Sequence, residues 1–187
     1  MTKRLIPYLT ICLSISYAAS ISEAEKIEAI YTKLEHRPGK ERKLIMQLEK
    51  KYDTKKAIRI QNIKKYEPNE ETEALISVYA PIGKYQLIFV EFHSESGDWS
   101  SEAEFLLDSD RVVRLGHYYA FFNGCDTGAK VRRVNYYDQT SNLIDKKLTI
   151  TDLKNKNLPL NSCKAMRKKF DESFPLNLLE IQKRFGF

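Results

Sequence analysis

Between Ala74 and Ile150 the chain repeats one plan three times: an apolar strand-like run, a turn of three or four polar or Gly/Pro residues, and a second run. The first unit is Ala74 to Ala80, Pro81-Ile82-Gly83, then Lys84 to His93. The second is Glu102 to Leu107, Asp108-Ser109-Asp110, then Arg111 to Phe122. The third is Lys130 to Tyr137, Asp138 to Ser141, then Asn142 to Ile150. Turns this short allow only antiparallel pairing, since a parallel crossover needs a dozen residues or more. The expectation is therefore an antiparallel β-meander of about six strands, in three hairpin repeats, within an α+β fold.

Residue alternation assigns the two faces. Tyr85 to Phe92 is apolar on both, so that strand is expected to be central and covered twice. Glu102 and Glu104 alternate with Ala103, Phe105 and Leu107, the pattern of a half-exposed strand. Val113-Arg114 through Tyr118-Tyr119 matches Val131-Arg132 through Tyr136-Tyr137 at Val, Arg, Tyr and Tyr with a constant offset of eighteen, which supports neighbouring positions in the sheet.

Helical periodicity flanks this region. Ile27, Ile30, Tyr31 and Leu34 draw one stripe, with Ser22 and Glu25 in capping-box positions and Pro38-Gly39 beyond. Leu44, Ile45, Leu48 and Tyr52 repeat the period and imply a second N-terminal helix over Lys40 to Tyr52. Ala57 to Ile63 reads as a strand. After Pro159, Cys163 to Phe170 suits a helix, and Leu176, Leu179, Ile181 or Gln182 and Phe185 suit a short closing helix after Pro175.

The first residues follow a different logic. Lys3 and Arg4 precede a short apolar run, no acid occurs before Glu23, and Ser16-Tyr17-Ala18 places small side chains where signal peptidase needs them. Residues 1–19 read as a signal peptide, leaving a single domain over 20–187 that is periplasmic or secreted. A lipoprotein site at Leu9-Thr10-Ile11-Cys12 is disfavoured by the bulky Ile11. The apolar run is too short to span a bilayer, so no transmembrane segment is expected after processing. Processing removes Cys12 and leaves Cys125 and Cys163, an even count that in an oxidising compartment implies a disulfide, worth about 4 kcal/mol by loop-closure entropy.

With 42% hydrophobic and 30% charged residues the chain has a core and a soluble surface. Losing Lys3 and Arg4 lowers the formal charge of +6 by two, a weak bias. Lys50, Lys51, Lys55, Lys56, Arg59, Lys64 and Lys65 cluster, but Glu67, Glu70, Glu71 and Glu73 follow directly, which favours a solvated face over a polyanion-binding one.

No phosphate loop, dinucleotide fingerprint, nucleophile elbow or HExxH occurs, and no cofactor is expected. The three histidines lack metal spacing; a site joining His117 to His93 and Glu91 or Glu95 is the one conceivable combination. Glu102 and Glu104, about 7 Å apart on one strand face, with Trp99 nearby as a sugar platform, would suit a carboxylate-dependent hydrolase. The more economical reading is a non-catalytic binding or envelope-associated protein with an unknown protein or envelope polymer as partner, nucleic acid being disfavoured by export. Its binding face is expected at Arg114, Tyr118, Phe122, Arg132 and Arg133, with Val113, Leu115, Tyr119 and Phe121 turned into the core.

Overall fold

The computed structural model describes residues 21–36, 43–122, 128–159 and 173–187. It is a mixed α/β fold: an eight-stranded antiparallel sheet flanked by an N-terminal and a C-terminal helix. Helix α1 (Glu23–Glu35) is followed by β1 (Leu44–Lys51), β2 (Ile58–Arg59), β3 (Thr72–Tyr79), β4 (Tyr85–His93), β5 (Trp99–Asp108), β6 (Arg111–Phe121), β7 (Ala129–Tyr137), β8 (Leu143–Thr151) and helix α2 (Leu178–Phe185). The order across the sheet is β2-β1-β3-β4-β5-β6-β7-β8, so β3 to β8 run as a meander. Strands β6 and β7 are neighbours, as the repeated motif suggested, but they pair antiparallel, Arg114 opposite Tyr136 and Tyr118 opposite Arg132.

Two expectations near the N-terminus are corrected. Leu44 to Lys51 is a strand rather than a helix, because β3 is buried along almost its whole length and its outer backbone groups need partners that water cannot supply. β1 provides them from Leu44↔Tyr79 to Lys51↔Thr72 and turns Met46 and Leu48 inward. That tertiary demand overrides a helical period. The strand expected over Ala57 to Ile63 shrinks to the two-residue β2, followed by a 3-10 turn at Ile63–Lys65.

Helix α1 has its capping box: Glu25 N–H bonds to Ser22 Oγ, and Ser22 N–H to the Glu25 carboxylate at 2.8 Å. Its buried residues Ala24, Ile27, Tyr31 and Leu34 pack on Leu87, Leu106, Val113, Val134 and Tyr136. On the opposite face Phe174, Ile181 and Phe185 cover Ile76, Ile88, Val90, Phe105, Leu107 and Leu115. Thus the middle of β4 is covered on both sides, and so is β5 from Ala103 onward, including Glu104, which was expected to be half exposed, whereas Glu102 remains partly exposed.

The disulfide expected between Cys125 and Cys163 is withdrawn. No disulfide is present among the described residues, and both cysteines lie outside them, as do the leader, Pro38-Gly39 and Cys163 to Phe170. The closing helix is instead held by backbone bonds, Val112 N–H to Leu176 O, Leu178 N–H to Asp110 O and Ala57 N–H to Gly186 O, together with the apolar contacts of Ile181 and Phe185.

Candidate functional site

Strand alternation sorts the candidate residues. A bulge at Val112 and Val113, where Leu107 faces Val112 and Leu106 faces Arg114, turns both Val113 and Arg114 toward α1. Val113 therefore belongs to the α1 cluster and not with Leu115. Arg114 is completely buried. Its Nε donates to Glu28 Oε2 at 2.7 Å, its Nη1 to Glu104 Oε2 at 3.1 Å, and its guanidinium carbon lies 3.4 Å from the centre of the Tyr31 ring. Burial works against its charge, but Glu28, Tyr31 and Glu104 together hold its pKa above the usual arginine value.

The same network reaches outward. Tyr118 Oη donates to Glu104 Oε2 at 3.0 Å, Arg132 Nε donates to Tyr118 Oη at 3.2 Å, and Tyr136 Oη donates to Glu28 Oε2 at 3.0 Å. Burial, opposed and outweighed by the Arg114 hydrogen bond and charge, leaves the Glu28 carboxyl below its ordinary range. Burial, then the bond to Glu28, pushes the Tyr136 phenol up to about 12.

Beyond the α1 contacts this face of β5 to β8 opens into a groove of about 390 Å³ lined by Ser100, Glu102, Tyr118, Ala120, Lys130, Arg132, Thr149 and Thr151. A second hollow of about 220 Å³, with Glu28, Val134, Tyr136 and Lys147 in its wall, shares Arg132 and Thr149 with the first. Arg132 thus stands between them. Burial first, then the negative charges of Glu104, Glu91 and Glu35, pushes the Glu102 carboxyl in this groove up to about 7.

The five binding residues read from sequence are therefore divided. Tyr118 and Arg132 line the groove, Arg114 lies behind it in the core, and Phe122 is 46% exposed beyond the end of β6. Arg133 pairs with His117 across the ladder and is buried on the opposite face. Phe121 and Tyr119 join Trp99, Val131 and Ile150 on that opposite face, Trp99 stacking on Tyr119 at 5.6 Å. Trp99 is consequently on the other side of the sheet from Glu102 and Glu104 and cannot serve them as a sugar platform. His93 and His117 are separated in the same way, by their places in the β4 and β6 registers.

Sequence reasoning did not find the pair Ser101 and His117, whose Oγ and Nε2 lie 2.9 Å apart. Only the cross-strand register brings them together. Burial, then the charges of Arg133 and Arg184, pushes the His117 imidazole down to about 3, well below the range a general base needs near neutral pH, and its ring packs edge-on against Phe174 at 4.8 Å. This is a core hydrogen bond. The contributions of Lys130, Thr149, Thr151 and Ser100 to the groove, and of Lys147 to the hollow beside it, were also missed, since their gathering depends on the order of β5 to β8.

No cluster of three or more His, Cys, Asp or Glu able to hold a metal occurs among the described residues, and no helix among them is long and apolar enough to cross a membrane. No protein-family model, curated protein or solved structure matches the chain. The groove geometry is accordingly the ground for a functional reading.

Proposed function

We propose that this is an exported, non-catalytic binding protein that holds an envelope polymer in the groove on the α1 side of its sheet. The observation that carries the reading is the placement of Tyr118 and Arg132. Both project into a groove of ligand-binding size; Tyr118 is fixed by its hydrogen bond to Glu104 of the buried network, and Arg132, exposed to solvent, is steered by its bond to Tyr118. Such preorganisation lowers the entropic cost of binding. Export rests on the leader-like residues 1–19.

The hydrolase reading has weaker support. Glu102 faces the groove with a carboxyl raised into the range of a general acid, but Glu104 is 6% exposed and occupied by Arg114 and Tyr118, leaving it no reach toward a substrate. The test is retention of solubilised envelope polysaccharide on the immobilised mature protein, read by carbohydrate analysis. Wild type is expected to retain it and Arg132→Ala to lose it without producing cleaved fragments. Equal retention by both proteins, or release of new reducing ends by wild type that stops in Glu102→Gln, would overturn the proposal.

A further inference from the structure

Arg132 is held as an anion fork. Its Nε is engaged by Tyr118 Oη, its guanidinium lies 5.2 Å from the centre of the Tyr118 ring, and Tyr118 is itself fixed by Glu104. The two terminal nitrogens make no hydrogen bond to any described residue, and they are the pair that meets a carboxylate or phosphate bidentately. Lys130, two residues away on β7, shares the face by alternation, and Lys147 on β8 shares it through its partner Val134. Two cations, Arg132 and Lys130, therefore line one side of the groove, and Lys147 lies in the adjoining hollow. Glu28 is hydrogen-bonded to Arg114 and Tyr136 and Glu104 to Arg114 and Tyr118, so both add negative charge near Arg132 while their hydrogen bonds go to other residues.

Hydroxyls accompany the charge. Thr149 stands directly opposite Arg132 and Thr151 opposite Lys130, with Ser100 on the far wall. Resting on the groove reading above, we infer that the ligand is an acidic sugar, its phosphate or carboxylate on Arg132 and Lys130 and its hydroxyls on Thr149 and Thr151. Glu102 across the groove supports this assignment, because a carboxyl raised to about 7 is partly neutral at physiological pH and then donates to a sugar hydroxyl or oxyanion instead of repelling it.

The test is a titration of the folded protein at low salt with glucose 6-phosphate, glucuronate and glucose, followed by amide shifts. Glucose 6-phosphate or glucuronate is expected to shift the β6 to β8 amides around Tyr118, Arg132 and Thr149. Glucose is expected to bind at least about tenfold more weakly, as the loss of a charge-assisted fork implies. The two acidic probes separate phosphate from carboxylate as the source of the oxyanion. Arg132→Gln removes the preference, and Arg132→Lys restores only part of it because a point charge cannot form the fork. Equal groove shifts with glucose and the acidic sugars would overturn the oxyanion assignment while leaving the groove as the binding site. No groove shift with either acidic sugar at about 20 mM, well above a millimolar dissociation constant, or shifts unchanged in Arg132→Gln, would overturn the assignment as well.

Discussion

Gly116 sits directly across the β5–β6 ladder from Glu104, and a Cβ built on it would lie 2.8 Å from the Glu104 carboxylate and 3.1 Å from Arg114 Nη1. A glycine inside a strand marks close approach, and here it is a carboxylate that approaches. Gly116→Ala should displace Glu104 from Arg114 and Tyr118. Arg114→Met, which leaves Glu28 and Glu104 without their cation, should cost about 3–5 kcal/mol, the usual penalty for breaking a buried ion pair. Urea unfolding of both variants checks this; an Arg114→Met protein as stable as wild type would mean that the network does not hold α1 on the sheet.

Glu102 predicts a stability difference that depends on pH. Its folded pKa of about 7 lies above the ordinary carboxylate value, so the folded state binds the extra proton between those two values and loses stability as pH rises through them. Glu102→Gln should match wild type near pH 4 and be the more stable protein at pH 8, by about 1 kcal/mol after solvent screening, or roughly 2–4 °C in melting temperature. Thermal melts at the two pH values decide it. A constant difference would show that the carboxyl is not strained in the folded state.

His117 predicts the opposite slope. Its folded pKa is depressed to about 3, so its contribution is complete above the unfolded value near 6.5 and is lost progressively as pH falls toward 3. His117→Gln should flatten that part of the stability profile while keeping a partner for Ser101. A His117 ring that titrates near 6.5 by NMR would contradict its burial beside Phe174.

Burial predicts how phenylalanine substitutions on and beside β5 and β6 sort. Phe105, with no exposed surface, should cost about 3–5 kcal/mol on replacement by alanine. Phe121, only half-buried beside Trp99 and Tyr119, should cost less, and Phe122→Ser should stay within about 0.5 kcal/mol as a surface change. Chemical denaturation orders the three; equal losses would contradict the ordering by burial.

The meander and helix α1 were legible because their signals are local. Turn residues, alternation and the Ser22–Glu25 capping box each act over a few residues. β1 was not, since Leu44, Ile45, Leu48 and Tyr52 satisfy a helical period and only the backbone demand of β3 makes Leu44–Lys51 a strand. Alternation put Tyr118 on one face of β6, and only the β6–β7 register selects Arg132 over Arg133 as its neighbour. Arg114 lies on the same face as Tyr118, as alternation implies, and the bulge moved only Val113 to that face. It was misjudged as exposed because Glu28 and Tyr31 of α1, more than eighty residues away in sequence, cover it. Arg133 was grouped with Arg132 although adjacent strand residues must face opposite sides. Lys147 and Thr149 became part of the site only through the pairing of β8 with β7.

The central claim is that ligand binds on the α1 side of β5 to β8. The most direct measurement is amide-shift mapping of the protein over residues 20–187 with a soluble, acidic envelope polysaccharide. The account predicts shifts concentrated at Tyr118, Lys130, Arg132 and Thr149, absent in Arg132→Glu. Shifts gathered instead along the lysine-rich segment from Lys50 to Lys65, where Glu71 and Glu73 already pair with Lys51 and Lys50, or shifts that persist in Arg132→Glu, would contradict it.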